Sequence, residues 1–166
     1  MIFQPSSIPH FRPPCYHGQM ALVANKKARL EYELLETYEA GIELLGFEVK
    51  SLRAGQGSLE GAHVLVRGGE AYLVNMRISP YQPANTPKDY DPERSRRLLL
   101  TKSEIGELAG YEHQKGLTIV PISVYNKGRK LKLEIAVARG KKQRDKRQDL
   151  KRRDDERDIE RTLKNS

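Results

Sequence analysis

Few residues of this chain have the types and spacing that suit catalysis or metal binding. Three candidate metal ligands, His10, Cys15 and His17, lie near the N-terminus, but a fourth ligand is missing and the surrounding segment has no hydrophobic period. Four carboxylates could act as a general acid or base, namely Glu39, Glu48, Asp89 and Asp91. Such residues more often form salt bridges or cap backbone groups. We therefore expect no catalytic residue, no metal site and no cofactor.

Basic side chains are grouped in two places in the middle of the chain. The first group precedes a strand pattern and consists of Asn25, Lys26, Lys27 and Arg29. The second group, Arg94, Arg96 and Arg97, precedes three consecutive leucines. If the fold brings both groups near Lys130 and Lys132, they form a positive surface that could follow a row of phosphates. Charged runs are more often solvated faces, so both interpretations stay open here.

The overall charge favours a polyanionic partner. The 166 residues carry a formal net charge of +8 and have an isoelectric point near 9.6. This suits a nucleic acid or, as the competing interpretation, an anionic membrane surface. No segment approaches the roughly 20 apolar residues that span a bilayer, and the N-terminus lacks a signal-peptide pattern. We expect a cytoplasmic protein that does not enter membranes and is a monomer when free.

The composition divides the chain into three zones. Residues 1–19 contain four prolines and no acidic residue, so they cannot offset the entropy cost of ordering and should be disordered. Met20 opens a more ordinary sequence and could be the natural start. Residues 20–140 are the expected folded body, and residues 141–166 are a basic tail.

Strand patterns occur at both ends of the body. Alternation across residues 30–34 predicts a half-buried strand, and residues 42–45 predict its neighbour. Residues 130–137 alternate more clearly between apolar and polar, with one face for the core and one for solvent. Residues 117–125 predict another strand, in which Pro121 indicates a sheet edge or a bulge.

Turn and capping residues add a hairpin and two helices. Two strand patterns joined by Gly68 and Gly69 predict the hairpin. One short helix is predicted to end at Gly55, and Thr101 with Glu104 is a capping box that begins another. About six strands with flanking short helices predict a mainly β fold. We expect a closed antiparallel barrel of the oligonucleotide-binding type, with a sandwich as the alternative.

The tail has the composition of a segment that folds on its partner. Residues 141–166 contain 11 basic and 7 acidic residues, a net charge of +4. Only Leu150, Ile159 and Leu163 could anchor a helix on a core. We expect the tail to be disordered when free and helical on a polyanion. A solubilising tail without a further role is the alternative.

Eight short motifs in the body and the tail resemble one family. They are NKKAR at 25–29, EAGI at 39–42, EVKSLRAG at 48–55, ISPY at 78–81, DP at 91–92, RLLL at 97–100, GKK at 140–142 and DKR at 145–147. In order and spacing they resemble the SsrA-binding protein family, also called small protein B. The resemblance covers about residues 24–163, and the motif at 48–55 is the most specific.

The resemblance implies a bacterial partner of transfer-messenger RNA. Such a protein acts in trans-translation, which rescues ribosomes stalled on messages without a stop codon. An oligonucleotide-binding barrel would grip the tRNA-like part of this RNA. The tail would enter the vacant messenger channel of the small subunit, next to the decoding region, and become helical there. The resemblance also implies that the protein performs no catalysis.

The family's functional residues can be carried over by matching position. Contacts to RNA fall on Asn25, Glu39, Leu99 and Lys132. Lys26 and Arg29, in the first of the eight motifs, are also expected to bind RNA. Contacts of the tail to the ribosome fall on Lys141, Lys142, Asp145, Lys146 and Arg147.

Two of these positions, and Leu30 in addition, each pose a question of their own. A carboxylate at Glu39 repels phosphate, so it would bind a base edge or a sugar hydroxyl, or orient a neighbouring arginine. Leu99 could pack in the core or face the RNA. Leu30 stands where relatives often have a histidine.

Two other functions compete with this one. A general RNA-binding or ribosome-associated protein with the same fold would explain the charge and the tail, but not the motifs. An enzyme acting on RNA would need a convergent acid, base or metal site that the sequence does not reveal.

Overall fold

The computed structural model describes residues 20–164 of the chain. The predicted disorder of residues 1–19 and the candidate ligands His10, Cys15 and His17 lie outside the described residues.

Within these residues, nine strands and four α-helices form the fold. The strands are β1 (Ala21–Ala24), β2 (Tyr32–Ile42), β3 (Gly57–Ser58), β4 (His63–Arg67), β5 (Glu70–Val74), β6 (Arg77–Ile78), β7 (Arg96–Leu99), β8 (Leu117–Lys127) and β9 (Lys130–Gly140). The helices are α1 (Ala28–Glu31), α2 (Gly46–Arg53), α3 (Lys102–Glu112) and α4 (Gln143–Lys164), and Pro83–Asn85 form a 3₁₀ turn. Seven strands make one sheet in the order β1-β8-β9-β2-β7-β5-β4, and β3 pairs with β6.

The mainly β, antiparallel prediction is confirmed, but the closed barrel is wrong. In the part of the chain that is described, no ladder joins the outer strands β1 and β4. The sheet curls until β4 comes close to β8, yet the edge of β4 is covered by helix α3. The Glu112 carboxylate of α3 accepts the Val66 N–H at 3.1 Å and pairs with Arg67 at 3.3 Å. A helix side chain therefore satisfies the edge that a closing strand would occupy.

Local signals predicted several elements correctly. Strands β4 and β5 form the hairpin, and Gly68 and Gly69 have φ values of 60° and 74°, as a tight hairpin turn with two positive φ angles requires. Helix α2 ends as expected before Gly55, whose φ is 74°. Thr101 and Glu104 form the predicted capping box of α3.

Other local predictions were wrong in part. Residues 28–31 are helix α1, so strand β2 begins only at Tyr32 and then runs unbroken to Ile42. Residues 42–45 are consequently not a separate strand. The tail, which we expected to be disordered when free, forms helix α4 over Gln143–Lys164, and Lys141 attaches the start of this helix to α1. Pro121 does lie at a bulge, but β8 is an interior strand between β1 and β9. Strand β9 is buried on both faces beyond Ile135, because α1 covers the outer face there.

Two hydrophobic clusters lie on opposite faces of the sheet. The main core, inside the curl, includes Leu52, Leu73, Leu98, Leu108 and Ile135. The second cluster consists of small and branched residues under α1, namely Ala28, Val120, Ile122, Ala136 and Ala138. Helix α1 is thereby fixed on the outer face of the β8 and β9 ladder.

A buried ion cluster centred on Glu48 attaches the 80–92 loop to the body. Its carboxylate accepts hydrogen bonds from Arg94 at 2.6 and 3.0 Å, from Arg96 at 2.8 and 3.1 Å and from Tyr90 at 3.1 Å. The side chains of Glu48 and Arg96 are fully buried. Arg94 and Arg96 are therefore not part of an exposed positive surface, contrary to one interpretation of the sequence.

The cluster keeps Glu48 ionised. Burial by itself would raise the pKa of this carboxyl. Hydrogen bonds from Arg94, the Leu45 N–H and Arg96 outweigh burial, and the pKa lies below its ordinary value.

Candidate nucleic-acid interface

Three of the six sequence-predicted RNA-binding residues, Glu39, Leu99 and Lys132, lie together on the outer face of the sheet. Leu99 of β7 pairs with Gly41 of β2, and Gly41 pairs on its other side with Lys132 of β9. Glu39 is two residues before Gly41 on the same strand and so faces the same way. Lys132 pairs in turn with Tyr125 of β8. We call Leu99, Glu39, Lys132 and Tyr125, together with Lys127, the outer-face group.

Leu99 is a surface residue, so it does not pack in the core. Leu99 is 56% exposed, whereas the neighbouring Leu98 is 2% exposed. A Cβ atom added at Gly41 would lie 3.1 Å from the Leu99 Cβ and 3.3 Å from its Cδ1. The leucine therefore lies over a glycine and presents its apolar surface outward. Such a surface suits contact with the apolar part of a sugar or base.

Glu39 organises the positive charge of the outer-face group. Its carboxylate accepts hydrogen bonds from Lys127 Nζ at 2.7 and 3.0 Å and from the Tyr125 hydroxyl at 2.5 Å, and Lys132 Nζ lies 3.9 Å away. The hydrogen bonds from Lys127 and Tyr125 hold the pKa of Glu39 below its ordinary value. Burial and the Glu39 carboxylate raise the pKa of Tyr125, so this phenol stays protonated.

These contacts give the Glu39 carboxylate a role among residues that are expected to meet phosphate. One negative charge holds two lysines and a tyrosine in place, and the charge of Glu39, Lys127 and Lys132 sums to +1. One of the roles considered for Glu39 was to orient a neighbouring arginine, whereas the structure places two lysines beside it. Sequence reasoning missed Tyr125 and Lys127; their alternation with buried Val124 along β8 is the signal that could have found them.

The same face continues towards β5 through Arg97. Arg97 of β7 pairs with Tyr72 of β5, and its guanidinium lies 2.6 Å from the Glu70 carboxylate. The Tyr72 hydroxyl donates to Glu70 at 2.5 Å. Of the second basic group in the sequence, Arg97 is thus the member that reaches the outer face, with its side chain 48% exposed.

The first basic group lies beside helix α1 on the same side of the sheet. Asn25 is occupied within the protein: its side chain accepts from the Ala28 N–H at 3.1 Å and donates to the carbonyls of Pro121 at 3.1 Å and Leu59 at 3.4 Å. It therefore fixes the turn that leads into α1. Lys26 is exposed on this turn.

The two other cations of this group also lie on the surface. Arg29 is exposed on α1, and Lys27 forms an ion pair with Glu60. Helix α1 packs on Ala136, which lies two residues along β9 from Glu134 and four from Lys132. The Ser123 and Glu134 side chains, which are 3.1 Å apart, lie between the first basic group and the outer-face group.

The predicted tail contacts lie at the start of helix α4. Lys142, Asp145 and Arg147 are exposed, and Lys146 is half-buried. The N–H groups of Asp145 and Lys146 both donate to the Lys142 carbonyl, which closes the first turn. Lys141 instead points back to the body, where its Nζ donates to the Arg29 carbonyl at 3.0 Å.

The described part of the chain contains neither a cluster of metal-ligating side chains nor a membrane-spanning helix. Three or more potential metal-ligating side chains do not cluster anywhere in this part of the chain. Likewise, none of the helices described here is both long and apolar enough to cross a bilayer.

Comparison with known families identifies the group to which the chain belongs. The sequence model of the family described as SmpB protein matches residues 22–165. This chain belongs to the SmpB family. The resemblance seen in the eight motifs is thereby confirmed, and the match leaves out the N-terminal stretch that the motifs also left out.

Similar SmpB-family proteins occur in cyanobacteria. The SsrA-binding protein of Microcystis aeruginosa is 54% identical over 140 residues, which are 84% of this chain and 91% of that protein. The SsrA-binding protein of Gloeothece citriformis is 51% identical over 149 residues, 89% of this chain and 96% of that protein. A solved structure described as "tmRNA-SmpB: a journey to the center of the bacterial ribosome" is also similar. It is 48% identical with a TM-score of 0.62, and covers 72% of this chain and 84% of the other.

Proposed function

We propose that this protein binds the tRNA-like part of transfer-messenger RNA and delivers it to stalled ribosomes for trans-translation. The observation that carries the proposal is the SmpB-family match over residues 22–165. The similar solved structure is described by the words tmRNA, SmpB and bacterial ribosome. The protein would act in the cytoplasm, where these partners are.

The outer face of the sheet is the surface that we assign to the RNA. We place the open, curled sheet in the oligonucleotide-binding class. Lys127, Lys132 and Arg97 would meet phosphates, with the first two held by Glu39 and the third by Glu70. Pre-positioned charges lose less side-chain entropy on binding. Recognition would then depend on shape, phosphates and sugars more than on base sequence.

The body and the tail have separate tasks in this proposal. The body grips the RNA, while the tail enters the messenger channel of the small subunit through Lys142, Asp145, Lys146 and Arg147. The protein would perform no chemical step of its own, because peptide transfer belongs to the ribosome and charging of the RNA belongs to alanyl-tRNA synthetase.

Sequencing of co-purifying RNA tests this function. The tagged full-length protein, expressed in a bacterium and purified at low salt, should retain one predominant species, transfer-messenger RNA. A mixture of unrelated RNAs would instead favour the alternative of a general RNA-binding protein.

A charge-matched pair of variants shows whether the outer face is responsible. Lys127→Ala with Lys132→Ala should release the RNA. Lys50→Ala with Lys88→Ala removes the same charge from exposed positions elsewhere and should retain it. Equal retention by both double variants would exclude the outer face as the binding surface.

A further inference from the structure

The side chain of Lys141 joins the body to the tail helix. The Nζ of Lys141 donates to the Arg29 carbonyl of α1 at 3.0 Å and to the Asp149 carboxylate of α4 at 2.5 Å. The N–H of Lys141 also donates to the Glu31 carbonyl at 2.9 Å. The ammonium group therefore bridges α1 and the second turn of α4.

Near the start of α4, the apolar side chain of Leu150 is 46% exposed, so it contributes little to fixing the direction of the helix. Helix α4 contacts α1 of the body. By contrast, the side chains of Lys141 and Asp149 are only 20% and 25% exposed. A partly buried charge-assisted hydrogen bond is stronger and more directional than an exposed one.

We propose that Lys141 is a positioning residue that fixes the direction in which the tail helix leaves the body. Its charge is used inside the protein, on Asp149 and on a carbonyl, and does not meet ribosomal RNA. The bridge ends on α1, the helix that carries Arg29 and follows Lys26 and Lys27. The bridge would thus fix the tail, which is expected to enter the ribosome, in one orientation relative to the first basic group, which is expected to bind RNA.

The neighbouring Lys142 is the matched control for this geometry. It has the same charge and lies one residue further along, but its side chain is exposed. Lys141→Gln and Lys142→Gln therefore remove the same charge from the same place in the sequence, and the bridge is lost in the first variant alone.

Distances between spin labels in the free, full-length protein test the bridge directly. In a Cys15→Ser background, labels at Lys102→Cys on α3 and Lys151→Cys on α4 report the direction of the tail. The parent, Lys142→Gln and the conservative Lys141→Arg should show one narrow distance distribution. Lys141→Gln and Asp149→Asn should broaden and shift it. A distribution for Lys141→Gln that matches the one for Lys142→Gln would overturn the proposal.

A substitution that makes the tail more positive distinguishes a positioning role of the bridge from simple attraction between the tail and RNA. Asp149→Asn makes the tail more positive, so a tail that acts by charge alone would bind the ribosome at least as well. The bridge predicts that Asp149→Asn lowers the rate of tagging in a reconstituted stalled-ribosome assay several-fold. Asp154→Asn makes the same charge change at an exposed ion pair with Arg157 and should leave the rate unchanged. A rate for Asp149→Asn equal to that of Asp154→Asn would exclude a role for the bridge in rescue.

The consequence for rescue depends on the proposed function, whereas the spin-label distances do not. If the protein binds a different RNA, the tagging assay fails for the parent as well. The distance measurement still decides whether Lys141 fixes the direction of α4.

Discussion

The side chains of Glu48 and Arg96 are both fully buried, and Arg96 Nη2 lies 2.8 Å from Glu48 Oε1. Arg96 Nη1 further donates to the Met76 carbonyl at 2.6 Å, and its Nη2 to the Pro92 carbonyl at 3.0 Å. Through this salt bridge and these two hydrogen bonds, Arg96 connects helix α2 and strand β7 to the residue before β6 and to the end of the 80–92 loop. The family motif at 48–55 begins at this glutamate.

We predict that Glu48→Gln strongly destabilises the fold. Removal of one partner leaves buried positive charge without compensation, which typically costs about 3–5 kcal/mol. Urea denaturation monitored by circular dichroism measures the change. Glu70→Gln removes the partner of Arg97 at a more exposed pair and should cost at most about 1 kcal/mol. Equal effects of both substitutions would contradict a structural role for the buried pair.

The same cluster predicts loss of stability in acid. The pKa of Glu48 is lower in the folded chain than its ordinary value. Its contribution is therefore fully present above the ordinary carboxyl pKa, about 4.3, and is lost as the pH falls through the folded pKa. The free energy of unfolding should decline below about pH 4, and Glu48→Gln should show a shallower decline. Parallel pH profiles for the two proteins would contradict this assignment.

Lys132→Ala should weaken binding to transfer-messenger RNA without unfolding the protein. The loss expected for a charge-assisted hydrogen bond is roughly 1 kcal/mol or more. Filter binding at several salt concentrations should also show a salt dependence whose logarithmic slope is smaller by about one. Lys88→Ala, on the exposed 80–92 loop, is the control. An affinity of the parent protein that does not change with salt would exclude the electrostatic account altogether.

Adjacent leucines on β7 should give opposite results. Leu99 is 56% exposed and Leu98 is 2% exposed. Leu99→Ala should lower RNA affinity and change stability by no more than about 0.5 kcal/mol. Leu98→Ala should destabilise the protein by about 2–5 kcal/mol. Thermal melting and RNA binding, measured on both variants, distinguish the two roles, and a lower melting temperature for Leu99→Ala would place that residue in the core after all.

A protein that ends at Gly140 should still bind transfer-messenger RNA but fail to rescue ribosomes. The body retains the outer-face group, whereas the deleted segment carries a net charge of +4. Circular dichroism of the isolated 141–166 peptide should show little helix, because the peptide lacks both the ribosome and the contacts of Lys141 with α1. Tagging at the full rate by the truncated protein would refute the role of the tail.

Deletion of residues 2–19 should leave folding and RNA binding nearly unchanged. The segment has no core-forming pattern, and it precedes the family match, which begins at residue 22. Melting temperature and RNA affinity of the shortened protein test this. Loss of folding would show that the segment contributes to the body.

The sequence was sufficient to predict those turns and helix ends whose structure depends on residues close together in the chain. The Gly68 and Gly69 turn, the capping box at Thr101 and the end of α2 at Gly55 depend on backbone conformation or on contacts within four residues. Family membership was also predictable, because the motifs are short and contiguous. The sequence by itself therefore determined the mainly β, antiparallel class of the fold, the family and the expected partner.

Only the tertiary structure shows which charged side chains are buried and which distant residues they bind. Arg96 and Arg97 are adjacent and chemically identical, yet one is buried on Glu48 and the other reaches the outer face. Glu39 meets Lys127 across 88 positions of sequence, and Glu112 covers the β4 edge from a helix 46 positions away. Strand register and sheet curvature set these contacts, and both depend on packing of the whole body. No local pattern could therefore show whether the sheet closes, which arginine is exposed, or which cations a carboxylate holds in place.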